Sequence, residues 1–521
     1  MRGMLQIRDY RDTVAHRASY QFQMPAEAEW SSIDVPLALS AAGWTLEGQP
    51  DLSRVRTIDF TLQPEAALDG GRIYLDDVVL VEREGPVDID TAPMPLIVQR
   101  LAQRQWDALW GARSRAHGLI PNHSYQTLDA GLNVTAAVLW MLPAAVRHHW
   151  VEQKEADHYA ALLVETLDRL LDRAVHLPPR SMDWVTLKPS IREESTIDAA
   201  FLALALHRYK SQSTTPTGLR EAIHQTQERF NFAPFACSGG WCMAYRYATP
   251  HNPEGLISLT YNGYTNEAKV ISLAAHLSKQ HHMPIETCWN TDVHRVREQL
   301  ASLNPAPVVH SLSEFRAPFT QALLNLFVDV QQRGIDKYPD DRLAANPWQN
   351  FVCYEQGVMD RLAELGRRYL AQPDAGDDGT LENYQQFSLY QDFGQSDLFM
   401  PWSVAFALLA RAEGAETSLR FLLRNRLHGP LGLVDSAKWK TGEPEPYAVT
   451  PRHDYWNTAI STMALLEWLD GDARASKSFA DLPEVREALD RVFGPPQRHA
   501  ARPSQLAADT QRTKGRMSKP E

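Results

Sequence analysis

The chain has 521 residues, of which 44% are hydrophobic and 22% charged, ordinary proportions for a globular protein. With 52 Lys and Arg against 64 Asp and Glu, the net charge is −12, which repels phosphate backbones and argues against nucleic acid as a partner. No apolar run approaches the ~18 residues that a membrane-spanning helix needs.

The length predicts roughly two to four domains. Met1-Arg-Gly-Met-Leu-Gln-Ile-Arg8 has neither the long apolar core nor the small-residue cleavage site of a signal peptide. From there to about residue 85 the pattern is that of strands. Tyr20–Met24, Trp30–Leu39, Val55–Leu62 and Arg72–Val81 alternate apolar and polar residues between Gly, Pro and Asp turns. The motifs Trp-x-x-Ile-x-Val-Pro-Leu, Asp51-Leu-Ser-x-Val-x-x-Ile-x-Phe and Gly-x-Ile-Tyr-Leu-Asp-Asp-Val-x-Leu resemble the closing strands of a jelly-roll carbohydrate-binding module. Such a sandwich needs about eight strands, and half of one leaves an open apolar face and bare edges. The expectation is therefore a partial β-sandwich over 1–85 whose front half, with room for a secretion signal, precedes this start. The protein is then periplasmic or secreted; if the chain begins here, it is cytoplasmic.

A Pro-containing linker follows, and the periodicity becomes helical. The spacing predicts helices near 96–110, 129–149, 154–176, 196–211, 216–231, 265–279, 291–302, 314–333, 350–371, 398–412, 414–426, 453–469 and 482–493. Ala199–Leu206 and Trp402–Ala410 have almost no polar face, which requires burial on every side; Ala156–Leu171 is plainly amphipathic. Fully buried and half-buried helices in one chain suit an inner ring wrapped by an outer ring, the (α/α)6 toroid, although a large irregular bundle has the same statistics. The expected class is mainly α, with the toroid over 96–493. Residues 494–521, rich in Arg, Lys, Pro, Gln and Ser, are expected to be disordered.

No Cys/His spacing matches a zinc site, and there is no glycine-rich phosphate loop, so neither metal nor cofactor is expected. Cys237 and Cys242 are spaced so that they can pair in an oxidising compartment. The chain holds 14 Trp, 17 Tyr and 17 Phe. Several Trp stand in polar or loop-like contexts, among them Trp184, Trp241, Trp289, Trp402, Trp439 and Trp456. Aromatic faces suit sugars, but core packing is the commoner use of a Trp.

Glycoside hydrolysis needs two carboxyl groups across the scissile bond, so acids just before buried helices are the candidates. In Arg192-Glu-Glu-Ser-Thr-Ile-Asp198, Ser195 and Asp198 suit a capping box, while Glu193, Glu194 and Asp198 crowd one helix start. In Tyr261-Asn-Gly-Tyr-Thr-Asn-Glu267, an aromatic and amide-rich loop feeds a single Glu that also suits the helix dipole. His428–Trp439 and the run Arg452-His-Asp-Tyr-Trp-Asn457 precede later helical pattern, and Asp454 reads either as an N-cap or as part of a pocket.

These segments, in this order, resemble the glucoamylase-like domain of bacterial endo-β-1,2-glucanase-type glycoside hydrolases. The resemblance spans about residues 105–470. It runs through Gly118-Leu-Ile-Pro-Asn-His-Ser124, Glu193 with Ser195-Thr-Ile-Asp198, Gly240-Trp241, Tyr264-Thr-Asn-Glu267-Ala and Gly432-Leu-Val-Asp435. The chain departs from the pattern at Arg192, Glu194 and Thr265 and in the His453–Asn457 run. The resemblance implies an oligo- or polysaccharide substrate and carboxylate catalysis by Asp198, Glu267 and Glu193, with acid and base unassigned among them. It implies substrate contacts from Glu194, Trp241, Tyr261, Tyr264, Asn266, Asp435, Trp439, His453, Asp454, Trp456 and His123. Two alternatives stay open. One is a polysaccharide lyase using Tyr264, His453 and Arg452; the other is a non-catalytic glycan-binding protein of exopolysaccharide handling.

Overall fold

The computed structural model describes residues 88–124, 129–250, 253–261, 266–289, 319–334, 346–364, 398–425, 427–429, 431–438, 448–449 and 453–495, with strands in 2–11, 14–23, 44–47, 55–63, 375–377 and 384–386. The chain divides into two units, Met1–Val78 and Val79–Glu521. The first carries a four-stranded antiparallel sheet, order β3-β2-β1-β4, from β1 (Arg2–Arg11), β2 (Val14–Gln23), β3 (Trp44–Glu47) and β4 (Val55–Gln63). Strand β1, which sequence reading did not single out, lies between β2 and β4, with Ile7 opposite both Ala18 and Ile58. The expected strands at 30–39 and 72–81 lie outside the described residues.

In the second unit, apolar residues on every face have the predicted consequence. Six helices are buried along nearly their whole length: α2 (Leu132–Arg147), α4 (Thr196–Lys210), α6 (Asn266–Leu277), α7 (Phe319–Phe327), α9 (Val404–Leu409) and α11 (Tyr455–Asp470). Helix α2 packs on α4, α4 on α6, α6 on α7, and α9 on α11, which closes back on α2. Amphipathic helices lie against this ring. They are α1 (Met94–Ala112) on α11, α3 (Gln153–Leu171) on α2, α5 (Thr217–Glu228) on α4, α8 (Pro347–Glu364) between α7 and α9, and α10 (Ala415–Arg424) on α9. Two more helices, α12 (Ala475–Ala480) and α13 (Pro483–Val492), pack on α7 and α6. Alternation of outer and inner helices along the chain is the toroid that the burial pattern predicts. The expected helix at 291–302 and the expected disordered tail from 496 onward lie outside the described residues. The 398–412 segment begins as the strand Leu398–Phe399 and a 3₁₀ turn at Pro401–Ser403, and only Val404–Leu409 is α-helical, because Pro401 carries no amide hydrogen for a helical ladder. Among the described residues no helix is long and apolar enough to cross a membrane.

Short strands tie the leading ends of four inner helices together. Leu132 N–H donates to the Arg180 carbonyl and Arg180 N–H to the Glu193 carbonyl, joining α2 to the strand before α4. Thr196 N–H donates to Met243 O, and Trp241 pairs with Tyr261 on the strand before α6. Tyr455 N–H, at the start of α11, donates to Asn122 O. The first turns of these helices therefore open at one end of the ring, where buried side chains from different parts of the sequence meet.

Candidate active site

Three acids and a tyrosine predicted from the sequence come together here with an arginine that sequence reading missed. Asp198 stands in the first turn of α4, where its own N–H donates weakly to Ser195 Oγ at 3.5 Å, so it is capped and also faces the site. Glu267 stands in the first turn of α6, and Tyr261 on the strand leading into it; all three are buried. Arg180 lies between the acids, with Nη1 3.0 Å from Glu193 Oε1 and Nε 3.4 Å from Asp198 Oδ2. About half of its side chain is exposed, against 8% for that of Asp198, so the cation covers the acid from the solvent side.

The electrostatics differ between the two buried carboxyls. Burial raises the Asp198 carboxyl above the ordinary Asp range, opposed first by the charge of Arg180 and then by the Ser195 hydroxyl. Glu267 has no such cation: burial first, and the charge of Asp198 second, push it up to about 8. Its Oε2 is buried with no hydrogen-bond partner among the described residues. Tyr261 is held well above the ordinary phenol range by burial and by Glu267 and Asp198. The Arg180 guanidinium is raised, chiefly by Asp198, and stays cationic.

A second set of predicted residues gathers at the start of α11. His123 and Asp454 face each other in an isolated antiparallel bridge, His123 Nδ1 lying 3.9 Å from Asp454 Oδ2. Asp454 also caps the helix, accepting from Trp456 N at 2.8 Å. His453 is buried, with burial pushing it down to about 4, so its ring is neutral at pH 7. Asp435 is buried and accepts from Asn457 Nδ2 at 2.7 Å. Trp456 stacks on Phe201 with centroids 5.1 Å apart, one turn along α4 from Asp198, which joins this wall to the acids.

Three of the predicted residues are engaged by other parts of the protein. Glu194 is fully buried and turned away from Arg180, since alternate residues of the strand Glu193–Ser195 point to opposite faces. Its carboxylate accepts from the backbone N–H groups of Val175, His176 and Leu177 and from Tyr247. Asn266 donates its amide to Gln321 O at 2.7 Å and ties α6 to α7. Trp241 is fully buried, its indole donating to Ser272 Oγ at 2.9 Å. The Cys237–Cys242 disulfide closes the short hairpin that carries Trp241 inward. Trp241→Phe, which keeps most of the apolar bulk but loses that hydrogen bond, is expected to cost about 1–2 kcal/mol of stability and leave glycan affinity unchanged. Thermal unfolding beside a glycan titration checks this, and a selective loss of affinity makes Trp241 a sugar contact. Trp289 and Trp402 are likewise core residues. Tyr264, Trp439 and Arg452 lie outside the described residues. Among the described residues no group of three or more His, Cys, Asp or Glu is placed to hold a metal.

No family model and no curated protein matches this chain. Solved structures do. The endo-β-1,2-glucanase of Chitinophaga pinensis, in complex with sophorotriose and glucose, is similar at a TM-score of 0.58 and 12% identity, over 77% of this chain and 99% of that one. The β-1,2-glucanase of Parabacteroides distasonis gives 0.61 and 11% identity over 94% of this chain and 69% of its own. This chain has their helical-toroid fold. The endo-β-1,2-glucanase of Talaromyces funiculosus with sophorose gives 0.53 and 12%, over 78% and 94% of the two chains. At such identities the likeness establishes the toroid and carries no side chain across.

Proposed function

We propose that this protein is a glycoside hydrolase acting on a glucan, with β-1,2-linked glucan the first substrate to test. The observation that carries the reading is the pair of buried carboxyls on neighbouring inner helices, one covered by an arginine and one not. Glu267, with its carboxyl pushed up to about 8, still holds its proton at neutral pH and suits the general acid that protonates the leaving oxygen. Asp198 beside Arg180 loses its proton first and suits the carboxylate that activates water or attacks carbon. Tyr261, Glu193 and the His123–Asp454 wall flank them and supply hydrogen-bonding groups for sugar hydroxyls. The solved relatives with sophorotriose or sophorose support a β-1,2-glucan as ligand. The N-terminal β unit fits an accessory glycan-binding role.

Incubation with β-1,2-, β-1,3- and β-1,4-glucans and bacterial exopolysaccharides, read by release of reducing ends, tests this, with Asp198→Asn as control. Turnover is expected to fall as pH rises through about 8, where Glu267 loses its proton. An ultraviolet-absorbing unsaturated product indicates a lyase instead. Glycan affinity without turnover, unaltered in Asp198→Asn, indicates a binding protein.

A further inference from the structure

We propose that Arg180 is a positioning residue that decides which acid holds the proton: clamped between Glu193 and Asp198, its guanidinium keeps Asp198 an anion and leaves the proton on Glu267. This rests on the hydrolase reading of the same site and adds the residue that divides its two roles.

The geometry is selective. Two different nitrogens of one guanidinium reach two different carboxylates, at 3.0 Å and 3.4 Å, and neither reaches Glu267. The backbone of Arg180 is held at both ends, N–H to the Glu193 carbonyl and C=O from Leu132 N–H, each at 3.0 Å. The cation is thus fixed by the start of α2 on one side and the strand before α4 on the other, so little ordering is needed to hold it over Asp198. The groups that face it are Glu193 and Asp198, with Tyr261 from the neighbouring strand; Glu267 faces Asp198 and Tyr261 from α6. The buried lysine of α6, Lys269, lies with Nζ 5.2 Å from the centroid of the Trp289 ring.

Two buried acids that feel one another repel, so the second to ionise is held protonated by the first. Arg180 sets the order by touching only one of them. Without it, only the Ser195 hydroxyl opposes burial at Asp198, which keeps its proton to higher pH. Glu267 then faces a neutral neighbour and ionises at lower pH. The two groups move in opposite directions, whereas a merely structural arginine shifts neither or disturbs both alike.

The test uses the full chain with ¹³C-labelled Asp and Glu carboxyls, whose resonances are assigned with Asp198→Asn and Glu267→Gln and followed across pH in wild type, Arg180→Met and Arg180→Lys. In Arg180→Met the Asp198 transition is expected to move up and that of Glu267 down, with kcat on the cleaved glucan reduced about 10–100-fold and KM within about threefold. Arg180→Lys keeps the charge without the two-pronged fork and restores part of both effects. Unmoved transitions in a folded Arg180→Met, or two transitions moving together, overturn the assignment; should Arg180→Met not fold, the same criterion applies to Arg180→Gln, which also removes the charge. If wild type cleaves no glycan, the hydrolase reading fails by itself, and the titration still decides what Arg180 does to the pair.

Discussion

Glu267→Gln is expected to reduce kcat on the cleaved glucan by about 10²–10⁴-fold, the usual contribution of a general acid. The amide has nearly the volume of the acid it replaces and cannot protonate a leaving oxygen. The loss should shrink on an aryl glycoside of the same sugar, whose leaving group departs without a proton; that contrast separates lost acid catalysis from lost binding. Stability should move the other way. The folded-state carboxyl ionises at about 8 rather than the ordinary 4.5, so between those values the folded protein binds more protons than the unfolded one. Stability therefore falls as pH rises from about 4.5 to about 8, and the Gln variant is free of that loss. Melting curves of the two proteins should lie close at pH 4.5 and separate by pH 8.5, with the variant the more stable, the usual exchange between a strained site and a stable fold. Turnover within tenfold of wild type on the natural glucan would reduce Glu267 to compensating the α6 dipole.

The ring was legible because burial on every side leaves its own sequence record. Ala199–Leu206 carries no polar stripe, and the whole of α4 except Lys210 is buried. The acids were legible for a related reason: only the first turn of an enclosed helix presents a side chain both to the open end of the ring and to the dipole. Asp198 and Glu267 stand there, and each serves its helix as well, so the capping reading and the functional reading are compatible. Arg180 was not legible. It follows two prolines, far upstream of Asp198, and reaches the acids only because Ser181–Asp183 pairs with Asp129–Gly131 while its own backbone bridges Leu132 and Glu193. No local spacing encodes that. The partner of Trp241 was not legible either: a disulfide-closed hairpin turns its ring onto Ser272. Short strand pairings, each of two or three residues, hold most of the information that periodicity does not carry.

Glu194 shows what such a pairing decides, and its replacement is expected to have the largest effect on the fold. Read as part of a helix start, Glu193 and Glu194 look equivalent. In the strand Glu193–Ser195, paired with Ala244–Arg246, they face opposite ways. Glu193 meets Arg180, while Glu194 accepts Val175 N at 2.6 Å, His176 N at 2.9 Å, Leu177 N at 3.0 Å and the Tyr247 hydroxyl at 2.6 Å. One carboxylate thus satisfies three consecutive backbone donors in the loop after α3. Charge-assisted bonds of this kind are worth more than neutral ones, and removing the acceptor strands the donors. Glu194→Ala is therefore expected to cost about 3–5 kcal/mol, near the upper end for a single substitution. Glu194→Gln should cost less but still destabilise, since its amide turns donors toward donors. The site should suffer indirectly, because the strand that Glu194 anchors also carries Glu193 and the Ser195 cap of α4. Turnover in the variants is accordingly expected to approach wild type at low temperature and to fall early on warming, in step with unfolding followed by circular dichroism. A variant that melts with wild type yet binds glycan weakly would place Glu194 among the sugar contacts and remove the anchor.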